Sequence, residues 1–483
     1  RTHEALFRET VRECGLNPFL VDMANIRDQC SWVHSNNPTA ATEKAIDLLR
    51  MAVGRASRLR PLLTEELPVV QSALVLGGGP SGMTTALSLA KQGFQVHLVE
   101  KCAELGGRLK FSNNRELLEK LVSAVTSHPL ISVYTESRLA KLEGHIGNFT
   151  SELNTPSGVK KVSHGVLIIA TGGIEYVPKE YCYGEDSRII TQRELQMALY
   201  ENALNLPENP SIAMIQCVGS RNEERPFCSR FCCTEAVKNA ILLKEKYPSA
   251  SIVVLYRDMR TYGTNELLYQ KARELGVVFV KYEPENAPQV SVSDGKPVVL
   301  SFTEPELGIQ VNQEVDLLVL SVGISPAVDN KEISELAKVP LNEDGFFHEA
   351  HVKLRPVDFA SEGIFLAGSA HSPKTTAENI QQALAAAGRA ATILSKPTMV
   401  VGGQVSVVDV RKCVSCLTCV RICPYGAPAV SPNNGKNRVE IQAAMCMGCG
   451  SCAAECPARA IQLQHFTDTQ ILAAVKALLE VVN

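Results

Sequence analysis

The sequence predicts an α/β protein of two nucleotide-fold domains, with a helical segment before them and a cysteine-rich domain after them. Three observations predict it. The stretch Ala73 to Glu100, ALVLGGGPSGMTTALSLAKQGFQVHLVE, runs strand, glycine turn, helix, strand and terminal acid, the order of a βαβ unit. Short apolar runs fit for buried parallel strands recur at Val166 to Gly173, Ser211 to Gln216, Ser251 to Tyr256, Val277 to Lys281 and Asp316 to Gly323. Sixteen cysteines are present, with four in the segment Cys217 to Cys233 and eight in the segment Cys413 to Cys456.

Composition narrows the class. A chain of 483 residues that is 45% hydrophobic has ample core for about two to four domains. Lys+Arg 48 against Asp+Glu 51 leaves no basic excess to neutralise a phosphate backbone, which argues against nucleic acid as a partner. No apolar run has the length of a membrane span, and no signal peptide is visible. In a chain so well supplied with core, the cysteines read as thiolate ligands and not as disulfide staples, so the expected compartment is reducing, the cytoplasm. The chain opens on Arg1 and not on methionine, and the expectation is a fragment or processed product.

Taken in order, residues 1 to about 66 read as helical. Ala41 to Ser57 places Ala45, Leu48, Leu49, Ala52 and Val53 on one face. Cys14, Cys30 and the single tryptophan, Trp32, precede that helix, and the cysteines are expected to be buried core residues. Pro61 to Pro68 reads as a linker. In the βαβ unit, Gly77 allows the tight turn, Gly79 lets a pyrophosphate approach the backbone, and Gly82 lets the helix Met83 to Lys91 pack on the strand. Glu100, closing the strand Gln95 to Val99, stands where a carboxylate accepts hydrogen bonds from a ribose. The alternative is an ordinary glycine turn. Gly106-Gly107-Arg108 forms a turn past which the far end of a flavin would run, followed by a helix from Arg115 to Val125 and a strand ending at the turn Gly172-Gly173.

A dinucleotide unit followed by a strand ending ATG resembles two-domain flavoproteins of the thioredoxin reductase type. The resemblance implies FAD, and a second nucleotide fold inserted before the flavin domain is completed. Ser211 to Gln216, Ser251 to Tyr256 and Val277 to Lys281 supply the strands of such an insert, and Asp316 to Gly323 its exit. Gly363 to Ala391 completes the flavin domain with a strand, a turn at Gly368 and an alanine-rich helix from Thr375 onward. The free amides and positive dipole end at that helix start, with Lys374 beside them, suit the negative charge of a reduced flavin. The alternative for Lys374 is a solvated surface lysine.

Where the insert should carry its own nucleotide loop, the chain reads Gln216-Cys217-Val218-Gly219-Ser220. Cys217, Cys228, Cys232 and Cys233 crowd there ahead of a helix expected from about Thr234 to Lys246. Four thiolates suit zinc or an iron–sulfur cluster, and the adjacent pair Cys232-Cys233 favours 4Fe–4S over a zinc ribbon. Redox-active thiols with a vicinal disulfide are the alternative. The tail is more specific. Cys413, Cys416, Cys419 and Cys423-Pro, then Cys446, Cys449, Cys452 and Cys456-Pro, repeat the bacterial ferredoxin spacing, in which the fourth cysteine serves the other cluster. One cluster is therefore expected on Cys413, Cys416, Cys419 and Cys456, the other on Cys446, Cys449, Cys452 and Cys423, with Gly448 and Gly450 giving the loop room to turn.

With these motifs, RTHEALFR, NPFLVDMANIRDQCSWVH, GGGPSGM, QCVGS with FCSRFCC, and PKTTAENIQQALAAAG, the chain is similar to the A-type iron–sulfur flavoprotein subunits of heterodisulfide reductases. That resemblance implies FAD and several 4Fe–4S clusters, here three. It also implies a cytoplasmic complex with B-type and C-type subunits and an electron-donating hydrogenase or formate dehydrogenase. The flavin of that family is taken to split electron pairs between a disulfide-reducing partner and ferredoxin. Two departures stand out: longer members carry cluster cysteines upstream of RTHE and an extra ferredoxin insert, whereas this chain passes from Gly147 to Val166 without a cysteine. The expected domains are 1–66, helical; 67–206, the first part of the FAD domain; 207–325, the cluster-bearing insert; 326–400, the second part of the FAD domain; and 401–483, the ferredoxin domain.

Two competing readings are an NAD(P)H oxidoreductase resembling the small subunit of glutamate synthase, which the missing second glycine loop disfavours, and a non-catalytic wire or scaffold, which need not retain FAD. The sequence carries no Ser-His-Asp set, no CxxC pair in the insert and no paired acids for hydrolysis, so the chemistry is expected to be that of the cofactors.

Overall fold

The computed structural model describes residues 4–112, 114–293, 296–433 and 436–479. Arg1, Thr2 and His3 of the opening motif and residues 480–483 of the last expected domain lie outside the described residues. The chain forms two compact units, one of 1–69, 144–146 and 397–483, the other of 70–143 and 147–396.

The larger unit contains two parallel five-stranded sheets of the same design. In the first the strand order is Ile364–Leu366, Val166–Ile169, Ser72–Leu76, Gln95–Val99, Ile131–Tyr134. Ser72–Leu76 is the middle strand, buried on both faces, which is why Ala73 to Leu76 reads as an unbroken apolar run and not as an alternating one. One face packs on the helices Pro80–Lys91 and Thr376–Leu394, whose buried Ala86, Ala383, Ala386 and Ala390 let the backbones come close enough for Thr85 Oγ1 to donate to the Ala383 carbonyl at 3.3 Å. The other face, with Leu74, Leu167 and Ile169, packs on Phe149, Leu153, Phe347 and Phe359. The helix expected from Met83 begins at Pro80, because Gly79 is its N-cap and proline at the first position loses no intrahelical bond.

The second sheet has the order Ile189–Thr191, Leu317–Val322, Ser211–Val218, Ser251–Tyr256, Val278–Lys281, also parallel throughout. Helices Cys232–Lys246 and Glu266–Glu274 cover one face, and the antiparallel strands Gln289–Ser291, Val298–Glu304 and Ile309–Val315 cover the other. The chain enters and leaves this insert through the antiparallel pair Gly173–Glu175 and Ile324–Pro326.

In the smaller unit, helix Pro38–Ala56 starts at Asn37, whose side chain accepts the Ala40 N–H, and lies along helix Asp468–Leu479. Gly54 makes this possible: a Cβ there would come 2.7 Å from Ala477 Cβ. The packed stripe is rotated from the expected one. Leu49 and Val53 are exposed, and Ala45, Leu48, Met51 and Ala52 are half-buried. The expected linker is a strand, Thr64–Pro68, paired antiparallel with Thr398–Gly402; its proline sits at the end of an edge, where no ladder bond is lost. Cys30 is buried and Cys14 is exposed, so only one of that pair is a core residue. No described helix is long and apolar enough to cross a membrane.

Candidate functional site

Each glycine of the first turn has a distinct steric role. Gly77, at φ +110°, would place a Cβ 2.3 Å from the Ala170 carbonyl oxygen, and Gly82 would place one 1.7 Å from the Gly77 carbonyl oxygen. Gly79 differs: the nearest atom to its Cβ position is Gly107 Cα at 4.0 Å, so the space over it is open. Open backbone at a helix N-terminus is what a pyrophosphate requires. That space belongs to a cleft of about 420 Å³ lined by Gly77, Gly79, Glu100, Gly107, Arg108 and Gly172 among others. Arg108 Nη1 and Glu175 Oε2 are buried at this cleft without a hydrogen bond among the described residues, although Glu175 forms an ion pair with Arg193 at 3.1 Å and a looser one with Arg108 at 4.0 Å. Burial pushes the Glu175 carboxyl above its ordinary range, against the pull of both arginines. Unmet polar groups beside an open glycine turn fit a dinucleotide cofactor.

Glu100 is buried, and its oxygens accept the N–H groups of Gly78 at 2.6 Å and Cys102 at 2.8 Å. Each oxygen keeps a further lone pair for a ribose hydroxyl. A second cavity of about 60 Å³ adjoins it, lined by Ser137, Leu139 and Ile333 and edged by the ion pair Lys101–Asp329 at 2.9 Å. Sequence reasoning missed these residues, which come from segments far apart in the chain and carry no local motif.

The predicted residues on the closing helix sit differently. Gly368, at φ +76°, faces Ser81, whose Oγ would lie 2.2 Å from a Cβ there; Ser369 and Asn379 line the cleft instead. Thr375 is the N-cap of Thr376–Leu394 in a reciprocal box with Glu378. Lys374 is not a solvated lysine: its Nζ donates to Ser372 Oγ at 2.6 Å and lies 3.1 Å from His371 Nδ1. Burial, then the neighbouring Arg230 charge, brings its pKa down to about 8.

The four cysteines of the insert come together at the end of strand Ser211–Val218. Its register against Leu317–Val322 breaks between Ile215 and Val218, and Cys217 takes φ +64°. Cys232 and Cys233 open the next helix, and both are buried. Cys217 and Cys232 each feel the thiols of Cys233 and Cys228, and all are free thiols. The Arg230 N–H donates to Cys228 Sγ at 3.2 Å, and Arg221 Nη1 lies 4.0 Å from Cys217 Sγ. Side chains cover the turn that stands where a second nucleotide loop was expected. Gly219, at φ +63°, lies under the Tyr176 ring, 2.0 Å from its Cβ position, and Arg225 stacks on the ring's centroid at 4.1 Å.

In the tail, Cys413, Cys416, Cys419 and Cys456 line one small cavity, and Cys423, Cys446, Cys449 and Cys452 line another. The fourth cysteine of each run thus joins the other run's set. Among the described residues no three such donors converge on one point as ligands of a single ion would. Each set lines a cavity of its own, in the residue spacing that ferredoxin-type clusters use. The Ser406 N–H donates to Cys446 Sγ at 3.4 Å and the Ala460 N–H to Cys456 Sγ at 3.3 Å. Gly448 and Gly450 have positive φ, and the first run matches them with Ser415 and Leu417, also at positive φ.

Comparison with known proteins follows the same division. Residues 75–128 match the model of an NAD(P)-binding Rossmann-like domain, and 404–460 match that of a 4Fe–4S dicluster domain. The chain is 36% identical to the second A-type iron–sulfur subunit of CoB–CoM heterodisulfide reductase in Methanopyrus kandleri, over 90% of this chain and 81% of that protein. It is 31% identical to the A-type subunit of the H2:CoB-CoM heterodisulfide,ferredoxin reductase of Methanothermobacter thermautotrophicus, over 99% and 87%. Among solved structures, the thioredoxin reductase of Lactococcus lactis superposes with TM-score 0.48 at 18% identity, covering 67% of this chain and 99% of that one.

Proposed function

Because this chain belongs to the family of A-type iron–sulfur subunits of heterodisulfide reductases, we propose that it is the FAD- and 4Fe–4S-bearing electron-transfer component of a heterodisulfide-reductase-type complex. It is an oxidoreductase, with an iron–sulfur dicluster domain and a nucleotide-binding flavoprotein domain. FAD in the glycine cleft would be held by Gly77, Gly79, Glu100, Gly107, Arg108 and Gly172, with Gly368, Lys374 and Thr375 setting the closing helix. Three clusters would be held by the insert set Cys217, Cys228, Cys232 and Cys233 and by the two crossed tail sets. FAD supplies two-electron chemistry and the clusters supply one-electron exits, at potentials that hydrogen bonds to their sulfurs tune.

The observation that carries this reading is the replacement of the second nucleotide loop by a four-thiol group in the same compact unit as the glycine cleft. Tyr176 and Arg225 over Gly219 leave no approach for a dinucleotide to that loop, which favours transfer from a protein donor over NAD(P)H and speaks against the glutamate-synthase-like alternative. We further propose partners of the B and C types of the same complexes, a hydrogenase or formate dehydrogenase donor, ferredoxin as a second acceptor, and a cytoplasmic complex. The relative's name, pairing heterodisulfide with ferredoxin, supports a flavin that splits electron pairs between the two.

The test is anaerobic reduction of the reconstituted chain. Reduced ferredoxin should bleach the flavin, and NADH or NADPH should leave it oxidised over the same interval. Bleaching by NADH at a comparable rate would overturn this reading in favour of the glutamate-synthase-like one.

A further inference from the structure

Only three residues separate Cys228 from Cys232, and each is bonded to a different part of the body that carries the glycine cleft. Ser229, fully buried, accepts the Ile324 N–H on its Oγ at 2.9 Å, at the strand by which the insert rejoins the flavin domain. Arg230 Nη2 donates to Glu378 Oε1 at 2.5 Å. Phe231, buried, lies beneath the Arg108 guanidinium at 4.8 Å, and Arg108 lines the cleft.

Glu378 is itself a junction. As the third residue of helix Thr376–Leu394, it accepts the Thr375 N–H and hydroxyl on Oε2, at 2.9 and 3.0 Å. The Tyr262 hydroxyl of the insert reaches both of its oxygens, at 3.3 and 3.2 Å. Arg230 has φ +65°, a backbone region that non-glycine residues rarely adopt, and that turn accompanies the N–H donated to Cys228 Sγ. One residue therefore touches an expected cluster ligand with its backbone and the flavin-side helix with its side chain. A polypeptide gains nothing locally from such a conformation; contacts on both sides must hold it.

We propose that Ser229-Arg230-Phe231 is a three-point clamp fixing the inner iron–sulfur site against the flavin cleft, with Arg230 as its positioning residue, whose N–H, held on Cys228 Sγ by that clamp, raises the potential of that site. The clamp rests on the reading of Cys217, Cys228, Cys232 and Cys233 as ligands of a cluster. Fixed placement matters because electron transfer between two centres depends on the distance between them, which a swinging insert would change from one turnover to the next.

The experiment uses the full chain, reconstituted anaerobically with iron, sulfide and FAD, as wild type, Arg230→Gln, Arg230→Lys and Glu378→Gln. Iron and flavin contents are measured first. Arg230→Gln should keep both yet show at least tenfold faster amide exchange in segments 226–232 and 376–379. Its inner cluster, followed by EPR-monitored titration, should be at least tenfold harder to reduce, about 59 mV for one electron. Arg230→Lys, which can still reach Glu378 with a single donor, should recover part of both the protection from exchange and the potential. Glu378→Gln should raise exchange in both segments and shift the potential in the same direction as Arg230→Gln, to a smaller extent. If Arg230→Gln fails to hold the inner iron, Glu378→Gln cuts the same bond from the other side and decides alone. Wild-type exchange and potential in an iron-replete Arg230→Gln chain overturn the clamp. About eight irons in the wild type would instead remove the inner cluster, and the clamp falls with it.

Discussion

The carbonyl oxygen of Gly77 lies where a methyl group on Gly82 would have to go, 1.7 Å from the Cβ position, so strand Ser72–Leu76 and helix Pro80–Lys91 meet backbone against backbone. Gly82→Ala must push that helix off its sheet, and a loss of about 2–3 kcal/mol is expected from the urea midpoint of the apo chain. Gly79→Ala should behave in the opposite way. Its methyl has room and its φ of −75° suits alanine, and the poorer N-cap that alanine makes offsets the entropy gained, so apo stability should change by less than about 1 kcal/mol. FAD retention should nevertheless fall, roughly tenfold in affinity for about 1.4 kcal/mol of lost pyrophosphate contact. Undiminished FAD binding by Gly79→Ala would place the dinucleotide elsewhere.

The crossed sorting of the tail cysteines predicts which thiols each substitution exposes. A chain with three clusters should hold about 12 irons, and Cys456→Ala about eight. In that variant, alkylation under native conditions should reach Cys413, Cys416 and Cys419, its partners around one cavity, and spare Cys446 and Cys449 from its own run. Labelling of Cys446 and Cys449 in their place would mean that each run holds its own cluster.

Lys374 predicts a pH dependence. Its folded pKa, about 8, lies below the ordinary lysine value of 10.5, because burial disfavours the charged form. Below about pH 8 the lysine is charged in both states and the folded chain bears the full penalty. Between about 8 and 10.5 the folded form is neutral while the unfolded form still holds its proton, so the penalty disappears as pH rises. Lys374→Met should therefore melt higher than wild type in the apo chain at pH 7, with the difference shrinking toward pH 10. A difference independent of pH would assign the effect to packing. If Lys374 lies beside the flavin, as proposed, the same substitution should also lower the flavin potential of the FAD-loaded chain, because a cation near the reduced ring would be lost.

Gly54 predicts a defect confined to the smaller unit. A side chain there meets Ala477 Cβ at 2.7 Å and the Ala473 carbonyl at 2.9 Å, so Gly54→Val should separate helices Pro38–Ala56 and Asp468–Leu479 at a cost of about 1–3 kcal/mol. Amide exchange should rise along both helices while FAD binding is unchanged. Exchange as slow as in wild type would show that the pair tolerates a wider spacing.

The sequence by itself determined whatever is written in local spacing. Most of Ser72–Leu76 and Ser211–Val218, read as Ala73 to Leu76 and Ser211 to Gln216, was legible because a strand buried on both faces is apolar along most of its length. The turn at Gly77 was legible because only glycine tolerates its φ, and the tail cysteines because a cluster fixes the spacing of its ligands. Short-range signals of this kind fail where neighbours in space are far apart in the chain. Nothing near Pro61 to Pro68 announces its partner strand more than 300 residues away, Thr398–Gly402, so a ladder strand read as a linker. The apolar stripe of Pro38–Ala56 was misplaced because the deciding contact is Gly54 against Ala473 and Ala477, a close approach that hydrophobic periodicity does not register. Tertiary structure alone decided that Tyr176 covers Gly219, that Lys374 is held by His371 and Ser372, and that Arg230 reaches Glu378 across 148 residues. The physical reason is the same in each case: a ligand set or a turn is specified by backbone geometry over a few residues, whereas a side chain's partner is set by the packing of whole sheets and helices, which no local pattern encodes.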